Sequence, residues 1–370
     1  MVRPLRKNEI NAFIDFGESI YANDPLYVPY LHYELKRSLK RLVFGTRRYQ
    51  ALCSFDEAGR MNGRILLTVG KNKQLASEHC GYFSHFEAVN DRRVFDELMN
   101  AAIVWLRTQG AEYMLGSFFP HDPDARRGIL VQGFDFGPML FAAHNPPYYP
   151  ALFEAYGFQK LTDALEYEYA EKEETIRKIR ETAEKSLAEN DFHIDRLDVR
   201  HLDRDLEDVH KIMEAASTQI NFEAVLPLAE IKKMARQWRL FIDPDYAFLA
   251  RRNSDNEPIG FTLSVPDYNE VIRAMRGRTD LGGIVTFLTA RRRIRGLRAV
   301  LQYIIPAYQH KGVSKALYYE TKKAVDKNHV ERISLGTIME NNAASNGAIT
   351  SLGGEKSRVY RIYYLNIQEK

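Results

Sequence analysis

The chain has 370 residues, of which 45% are hydrophobic, 27% charged and 12% aromatic, and its formal net charge is +3. At roughly 100 to 200 residues per domain, this length predicts two domains with separate cores. The composition excludes a disordered or fibrous chain. A net charge this small gives no reason to expect a nucleic-acid partner, because non-specific binding to DNA depends on many clustered phosphate contacts.

The sequence also argues against a membrane span, a secretion signal and a metal site. Its longest apolar stretches, such as residues 299–305, are far shorter than the roughly 20 residues that cross a bilayer. The first ten residues are basic but lack the apolar core of a signal peptide. Cys53 and Cys80 have no paired spacing, and His79 beside Cys80 is interpreted as an ordinary strand residue, so no metal is expected. A cytoplasmic protein is predicted.

The first part of the chain is predicted to contain helices and then an antiparallel meander. Residues 1–40 are predicted to be helical, with a turn that contains two prolines. Short apolar or aromatic runs separated by turn residues predict strands at residues 49–55, 63–70 and 81–89.

Helix caps define the elements that follow the meander. Asp91 can cap an amphipathic helix that ends at Gly110. A strand is predicted at residues 111–117, and a second helix is predicted to start near Pro146 and to stop at Gly157.

The second half repeats this order after a charge-rich segment at residues 171–190, which is predicted to be a solvated connecting helix. Its predicted elements are helices at 201–216 and 229–240, strands at 245–251, 258–265 and 297–305, a helix at 313–327, a strand at 332–338, a helix at 342–352 and a strand at 359–365. Such repetition indicates duplication. We therefore predict one domain at residues 1–170, a linker at 171–194 and a second domain at 195–370.

The strongest candidate site is a basic loop centred on a glycine, between a strand and a helix. It comprises Ile304, Ile305, Gln309, His310, Lys311, Gly312, Val313, Ser314 and Lys315. Backbone N–H groups at a helix start, with the helix dipole behind them, form a site for phosphate oxygens. Gly312 lets the backbone approach closely, and His310, Lys311 and Lys315 add charge. An ordinary strand-to-helix turn with a solvated basic edge is the alternative.

Two motifs carry a resemblance to the GNAT acyltransferases. Residues 309–314 resemble their pyrophosphate loop, in which Gln or Arg is followed by two residues, Gly, one residue and Gly or Ala; only Ser314 departs from it. Residues 340–354 resemble the last motif of the superfamily, an Asn-led helix that ends in Leu-Gly. Ile349 stands where many members place a tyrosine as general acid, so the leaving thiolate has no assigned proton donor.

The resemblance implies an α+β fold with two GNAT-like domains in tandem, each a mostly antiparallel sheet flanked by helices. It also implies acyl-CoA or acetyl-CoA as cosubstrate, bound by the second domain. The first half lacks a Gln/Arg-x-x-Gly loop, so it is expected to close a substrate cavity instead. Asn145, Tyr148 and Tyr149 are the candidate cavity residues, with core packing as the alternative.

The acceptor is suggested by a wider similarity. Segments 128–134, 145–149 and 266–269 are similar to a bacterial group of tandem proteins, and bacterial ceramide synthases are similar in this respect. That similarity implies a small-molecule or lipid amine as acceptor, including a long-chain amine of the sphingoid type.

Catalysis is expected to be direct attack of the amine on the thioester, since no Ser-His or Cys-His arrangement is visible. Backbone amides at Ile304 or Ile305 would polarise the carbonyl. Asp267 and Glu340 follow strands and are the candidates for accepting the proton of the amine, while Asn269 and Asn342 could orient groups. The alternatives are an Asx turn for Asp267 and a helix cap for Asn342.

Residues 291–298 contain five arginines. The alternatives for them are a solvated junction, contact with CoA phosphates, peripheral contact with an anionic membrane, and nucleic acid, which lacks an accompanying recognition pattern. A non-catalytic binding or regulatory protein that keeps the fold is the main alternative to an enzyme, and a nucleic-acid-binding regulator is the other.

Overall fold

The computed structural model describes residues 1–72, 74–118, 126–217, 225–238 and 242–368. Strands and helices along these ranges build one mixed sheet flanked by helices, which confirms the α+β fold. No helix in the described ranges is long and apolar enough to cross a membrane.

The first half contains seven strands and four helices within the described ranges. They are β1 (Val2–Pro4), α1 (Ile10–Ser19), α2 (His32–Gly45), β2 (Tyr49–Phe55), β3 (Met61–Asn72), β4 (Ser77–Ala88), α3 (Arg92–Thr108), β5 (Tyr113–Gly116), β6 (Ile129–Gln132), α4 (Tyr149–Tyr156) and β7 (Gln159–Tyr169). The meander and α3 are confirmed. The helical prediction is wrong at β1, which pairs antiparallel with β2 as an edge strand, a position that tolerates Pro4.

The second half contains the remaining elements. They are α5 (Glu173–Glu189), β8 (Phe192–Arg196), α6 (Leu202–Ser217), α7 (Leu228–Trp238), β9 (Ala247–Arg252), β10 (Pro258–Pro266), α8 (Asn269–Met275), α9 (Leu281–Ala290), β11 (Gly296–Ile304), α10 (Val313–Lys327), β12 (Arg332–Met339), α11 (Ala343–Ser351) and β13 (Gly354–Asn366). The helix at residues 313–327 is confirmed. Residues 239 and 240 of the predicted helix 229–240 lie outside the described residues.

Each half contributes its last strand to the other half. The sheet order is β1-β2-β3-β4-β5-β13-β7-β12-β11-β10-β9-β8, with β6 also pairing with β13. Strand β13 thus lies between two strands of the first half, and β7 lies between two strands of the second. The sheet therefore runs through both halves without a break, and the division at residues 170 and 195 stays a prediction.

A buried charge cluster holds the exchanged strands together. Glu166 on β7 is fully buried and accepts hydrogen bonds from Ser334, Arg358 and Tyr360. Burial opposes ionisation of Glu166, but the positive charges of Arg298 and Arg358 and the hydrogen bonds hold its pKa below the ordinary value. Removing one member would leave a buried charge without its partner, which is strongly destabilising.

Candidate functional site

The loop predicted to hold phosphate connects β11 to α10. Strand β11 ends at Ile304, a 3₁₀ turn covers Pro306–Tyr308, and α10 begins at Val313. His310 and Gly312 both adopt the left-handed backbone conformation, with φ of 62° and 79°. Gly312 is the N-cap residue and provides no side chain to cap the helix. The helix start is therefore open.

The backbone amides from His310 to Lys315 are without hydrogen-bond partners in the part of the chain that the structure describes. Ala316 makes the first bond of the helix, from its N–H to the Gly312 carbonyl at 3.0 Å. Within the described residues, none of the six N–H groups from His310 to Lys315 has a hydrogen-bond acceptor. The first N–H groups of a helix need partners from outside the helix. An anion at this point would supply them, and the helix dipole favours it.

Neighbouring elements fix the loop in place. A Cβ added to Gly312 would lie 1.8 Å from the Ser186 Oγ, so helix α5 occupies the space beside this glycine. Gln302 on β11 donates to the Ser314 Oγ at 3.2 Å, and Asn190 donates to the Lys311 carbonyl at 3.5 Å. The structure thus adds a second reason for glycine at position 312: the close packing of α5.

A cavity opens beside the loop where two parallel strands diverge. Strands β11 and β12 pair only over Gly296–Ala299 and Arg332–Leu335. Beyond these residues they enclose a cavity of about 300 Å³ with mainly apolar walls. Its lining includes Val300, Tyr303, Tyr318, Gly336, Ile349 and Leu352. A cavity of this kind suits the arm and acyl chain of a thioester.

Comparisons with known proteins agree with this geometry. Residues 208–353 match the acetyltransferase (GNAT) family model. The chain is 26% identical to Protein YghO of Escherichia coli over 97% of this chain and 93% of that protein, and 25% identical to the bacterial ceramide synthase of Caulobacter vibrioides over 96% and 94%. A tandem GNAT protein from the clavulanic acid biosynthesis pathway superposes with a TM-score of 0.58 over 99% of this chain and 98% of that chain, at 11% identity.

Residues 208–353 thus match a GNAT domain, and the chain has the fold of a tandem GNAT protein. The family and the fold support an N-acyltransferase, and GNAT proteins generally use acetyl-CoA or acyl-CoA with an amine acceptor. The match covers the loop at residues 310–315 and the two strands β11 and β12 that diverge at the cavity.

One of the two backbone amides predicted to polarise the thioester carbonyl is already hydrogen-bonded. The Ile305 N–H donates to the Ile259 carbonyl at 2.9 Å, so this amide is engaged in the sheet. Val300 is skipped in the pairing of β10 with β11, since Leu301 faces Leu263 and Ala299 faces Ser264. Because Val300 also lines the cavity, this bulge is a further point at which the backbone meets the space for a thioester.

Of the four polar residues predicted to act in catalysis, only Asn342 lines the cavity. It is also the N-cap of α11, accepting a hydrogen bond from the Ser345 N–H at 3.0 Å. Asp267 and Asn269 instead bind the first half of the chain. Asp267 accepts from the Leu140 N–H at 2.8 Å and from the Asn269 N–H at 3.2 Å, which forms the Asx turn. Burial raises the pKa of Asp267 to about 6.

Glu340 lies in a different groove, between β7, β13 and α4. It accepts from the Lys160 Nζ at 2.7 Å and from the Asp163 N–H at 3.0 Å. Asp163 and Arg361 line the same groove. The structure therefore separates Glu340 from Asn342, although the two are close in sequence. The catalytic assignments of Asp267, Asn269 and Glu340 stay predictions.

The three residues predicted for the substrate cavity hold the end of β4 and strand β6. Asn145 accepts from the Leu130 N–H at 2.6 Å, and the Tyr148 hydroxyl donates to the Ala88 carbonyl at 2.8 Å. The Tyr149 hydroxyl donates to Glu87 at 2.6 Å. None of the three lines the cavity between β11 and β12. The assignment of these three residues to a substrate cavity stays a prediction, and helix α4 starts at Tyr149 rather than near Pro146.

Sequence reasoning missed Tyr318. It lies on α10, lines the cavity and has no hydrogen-bond partner in the described part of the chain. Burial raises the pKa of Tyr318 above its ordinary value, so the hydroxyl keeps its proton. A signal existed: Tyr318 follows Ser314 by four residues, which places both on one face of the helix.

Proposed function

We propose that this protein transfers the acyl group of an acyl-CoA to a long-chain amine. The observation that carries the proposal is the row of six N–H groups from His310 to Lys315, which have no acceptors among the described residues. The diphosphate of CoA supplies oxygens for these groups, and Lys311, which is exposed, adds positive charge at the edge. The thioester then extends into the cavity between β11 and β12.

The reaction needs no covalent enzyme intermediate. The amine nitrogen bonds to the thioester carbonyl carbon, the carbon–sulfur bond breaks, and CoA leaves as a thiolate. The amine loses one proton and the thiolate gains one, so the products are an amide and the CoA thiol. No Asp or Glu lines the cavity within the described residues. The amine therefore enters neutral, and the proton that it loses on becoming an amide is given to water.

Tyr318 is the proposed proton donor to the thiolate. Its hydroxyl is protonated, it lines the cavity, and it has no partner among the described residues to compete for it. Tyr318→Phe is expected to lower kcat by about a hundredfold with little change in KM. Tyr319→Phe is the matched control, since Tyr319 lines the same cavity one residue further along the helix. Equal losses in both variants would remove this role from Tyr318.

One similarity supports a long-chain amine as acceptor. The chain is similar over almost its whole length to a protein named bacterial ceramide synthase. A mass spectrum of lipid retained during purification would register both the tail and the head group of a bound molecule.

Calorimetry with acetyl-CoA and with a long-chain acyl-CoA tests the proposal directly. Binding of both, tighter for the long chain, is the expected result, because each methylene buried in the cavity adds about 0.8 kcal/mol. Absence of binding by the folded protein would favour a non-catalytic protein that has kept the fold.

A further inference from the structure

Helix α9 presents an apolar face to solvent. Leu281, Ile284, Val285 and Leu288 recur at helical spacing, and 84%, 49%, 62% and 54% of their surfaces are exposed. These positions form one continuous stripe. A stripe of this kind on a soluble domain marks a surface for another apolar body.

The opposite face fixes the helix with this stripe outward. Gly283 is buried, and a Cβ on it would lie 2.2 Å from the Arg278 carbonyl. Phe287 stacks on Tyr268 with ring centroids 5.9 Å apart. Asp280 caps the helix, accepting from the Gly283 N–H at 3.0 Å. The face of α9 that packs on the domain is therefore opposite to the stripe, so this packing leaves the stripe exposed.

Positive charge surrounds the helix. Residues 271–295 contain seven arginines and one acidic residue, Asp280, which pairs with Arg278. Arg291, Arg292 and Arg293 follow α9 directly and are exposed, and no carboxylate partner for them is found within the described residues. The apolar stripe is thus followed by three guanidinium groups that have no carboxylate partner among the described residues.

We propose that the α9 surface, defined as Leu281, Ile284, Val285, Leu288 and Arg291 to Arg293, docks on an anionic lipid bilayer. The apolar side chains enter the boundary between head groups and acyl chains, and the guanidinium groups bind lipid phosphates. The positive charge favours a bilayer over a second copy of the chain as the occupant of this surface. A second copy would bring the same positive charge, which opposes association. The helix has ten residues, so it lies on the bilayer and does not span it.

The docking surface and the cavity share a layer of side chains. Phe287 and Ala290 of α9 pack against the cluster formed by Val265, Tyr268 and neighbouring residues, and Val300 of the cavity wall packs against the same cluster. A bilayer at α9 would lie close to the cavity. Docking goes beyond the proposed acyl transfer and does not require it.

Vesicle flotation of the full chain tests the proposal. The expected result is binding to vesicles of phosphatidylcholine mixed with phosphatidylglycerol, weakened by salt, with far less binding to phosphatidylcholine alone. Val285→Asp should weaken binding about tenfold through loss of apolar insertion. Simultaneous Arg291→Glu, Arg292→Glu and Arg293→Glu should weaken it on the order of a hundredfold.

Matched controls separate docking from general charge and from misfolding. Val104→Asp changes a valine that is 63% exposed on α3. Arg37→Glu, Lys40→Glu and Arg41→Glu together change three exposed positions on α2 by the same charge. Both controls should bind like the natural chain, and thermal unfolding of every variant reports its fold. Failure of the natural chain to float with mixed vesicles, equal losses in the controls, or a dimer that Val285→Asp dissociates would each overturn the proposal.

Discussion

The two halves of the molecule differ most where a strand leads into a helix. In the first half residues 89–91 join β4 to α3, and Asp91 accepts from the Arg93 N–H at 2.8 Å, so this helix start contains its own anion. In the second half residues 305–312 join β11 to α10, and Gly312 leaves the helix start uncapped. Both helices have the same dipole. Which residue occupies the N-cap thus separates a closed helix start from one that can accept a ligand.

Gly312→Ala is expected to have the largest effect on CoA binding at the open helix start. The new Cβ would lie 1.8 Å from the Ser186 Oγ, at a residue whose φ is 79°. The loop would have to move away from α5, and overpacking of this kind costs about 1 to 3 kcal/mol. We therefore expect CoA affinity to fall about ten- to a hundredfold by calorimetry.

A second substitution controls for the cause of that loss. Ser186→Gly removes the side chain that the alanine would strike, so the double variant should regain part of the affinity and keep only the backbone strain. Unchanged affinity in a folded Gly312→Ala protein would move the phosphate site elsewhere.

Asp267→Asn changes an acidic residue of the second half that does not line the cavity between β11 and β12. The pKa of Asp267 is raised from 3.8 to about 6, so the native chain binds this proton more tightly than the unfolded chain. The contribution of Asp267 to the free energy of unfolding is largest below about pH 4. It falls by up to about 3 kcal/mol as the pH rises to about 6. Asparagine keeps the acceptor for Leu140 but cannot ionise, so the variant should lose this dependence in urea unfolding series.

The same variant tests the catalytic assignment of Asp267. Loss of a general base lowers kcat by about a hundredfold or more. A residue that only binds the backbone of Leu140 would leave kcat within about threefold, since its hydrogen bonds survive in asparagine.

Lys315→Glu should have a smaller effect than Gly312→Ala. It places a negative charge in the first turn of α10, beside the expected phosphates, and should weaken CoA binding roughly three- to tenfold, less at high salt. Arg93→Glu makes the equivalent change in the first turn of α3 and is the control. If both variants weakened binding equally, the loss would reflect net charge and not the open helix start.

Local features of the site could be predicted from the sequence because they depend on neighbouring residues. A glycine before an amphipathic run predicts the start of α10 at Val313, and the alternative interpretation of Asn342 as a helix cap is confirmed. The exchange of β7 and β13 could not be predicted, because strand pairing depends on contacts between residues nearly 200 positions apart, such as Glu168 and Glu355.

Other features were missed because the pattern pointed elsewhere. Helix α9 contains Gly282 and Gly283, which lower helix propensity, and its apolar side chains face outward, so no core pattern marked it. Tyr318 could not be predicted from the family motif, because that motif places the proton donor at position 349 of α11, whereas the cavity also receives side chains from α10.

Asp91→Ala is the smallest change and the most direct test of the comparison. Loss of the N-cap should destabilise the chain by about 1 kcal/mol in urea unfolding, because the Arg93 N–H loses its acceptor. CoA binding should not change, since the opened start of α3 still lacks a glycine-centred loop, and Arg92 and Arg93 pair with Asp96 and Glu97. If a second CoA site appeared in this variant, an uncapped helix start alone would be enough for binding, and the long loop before α10 would need another explanation.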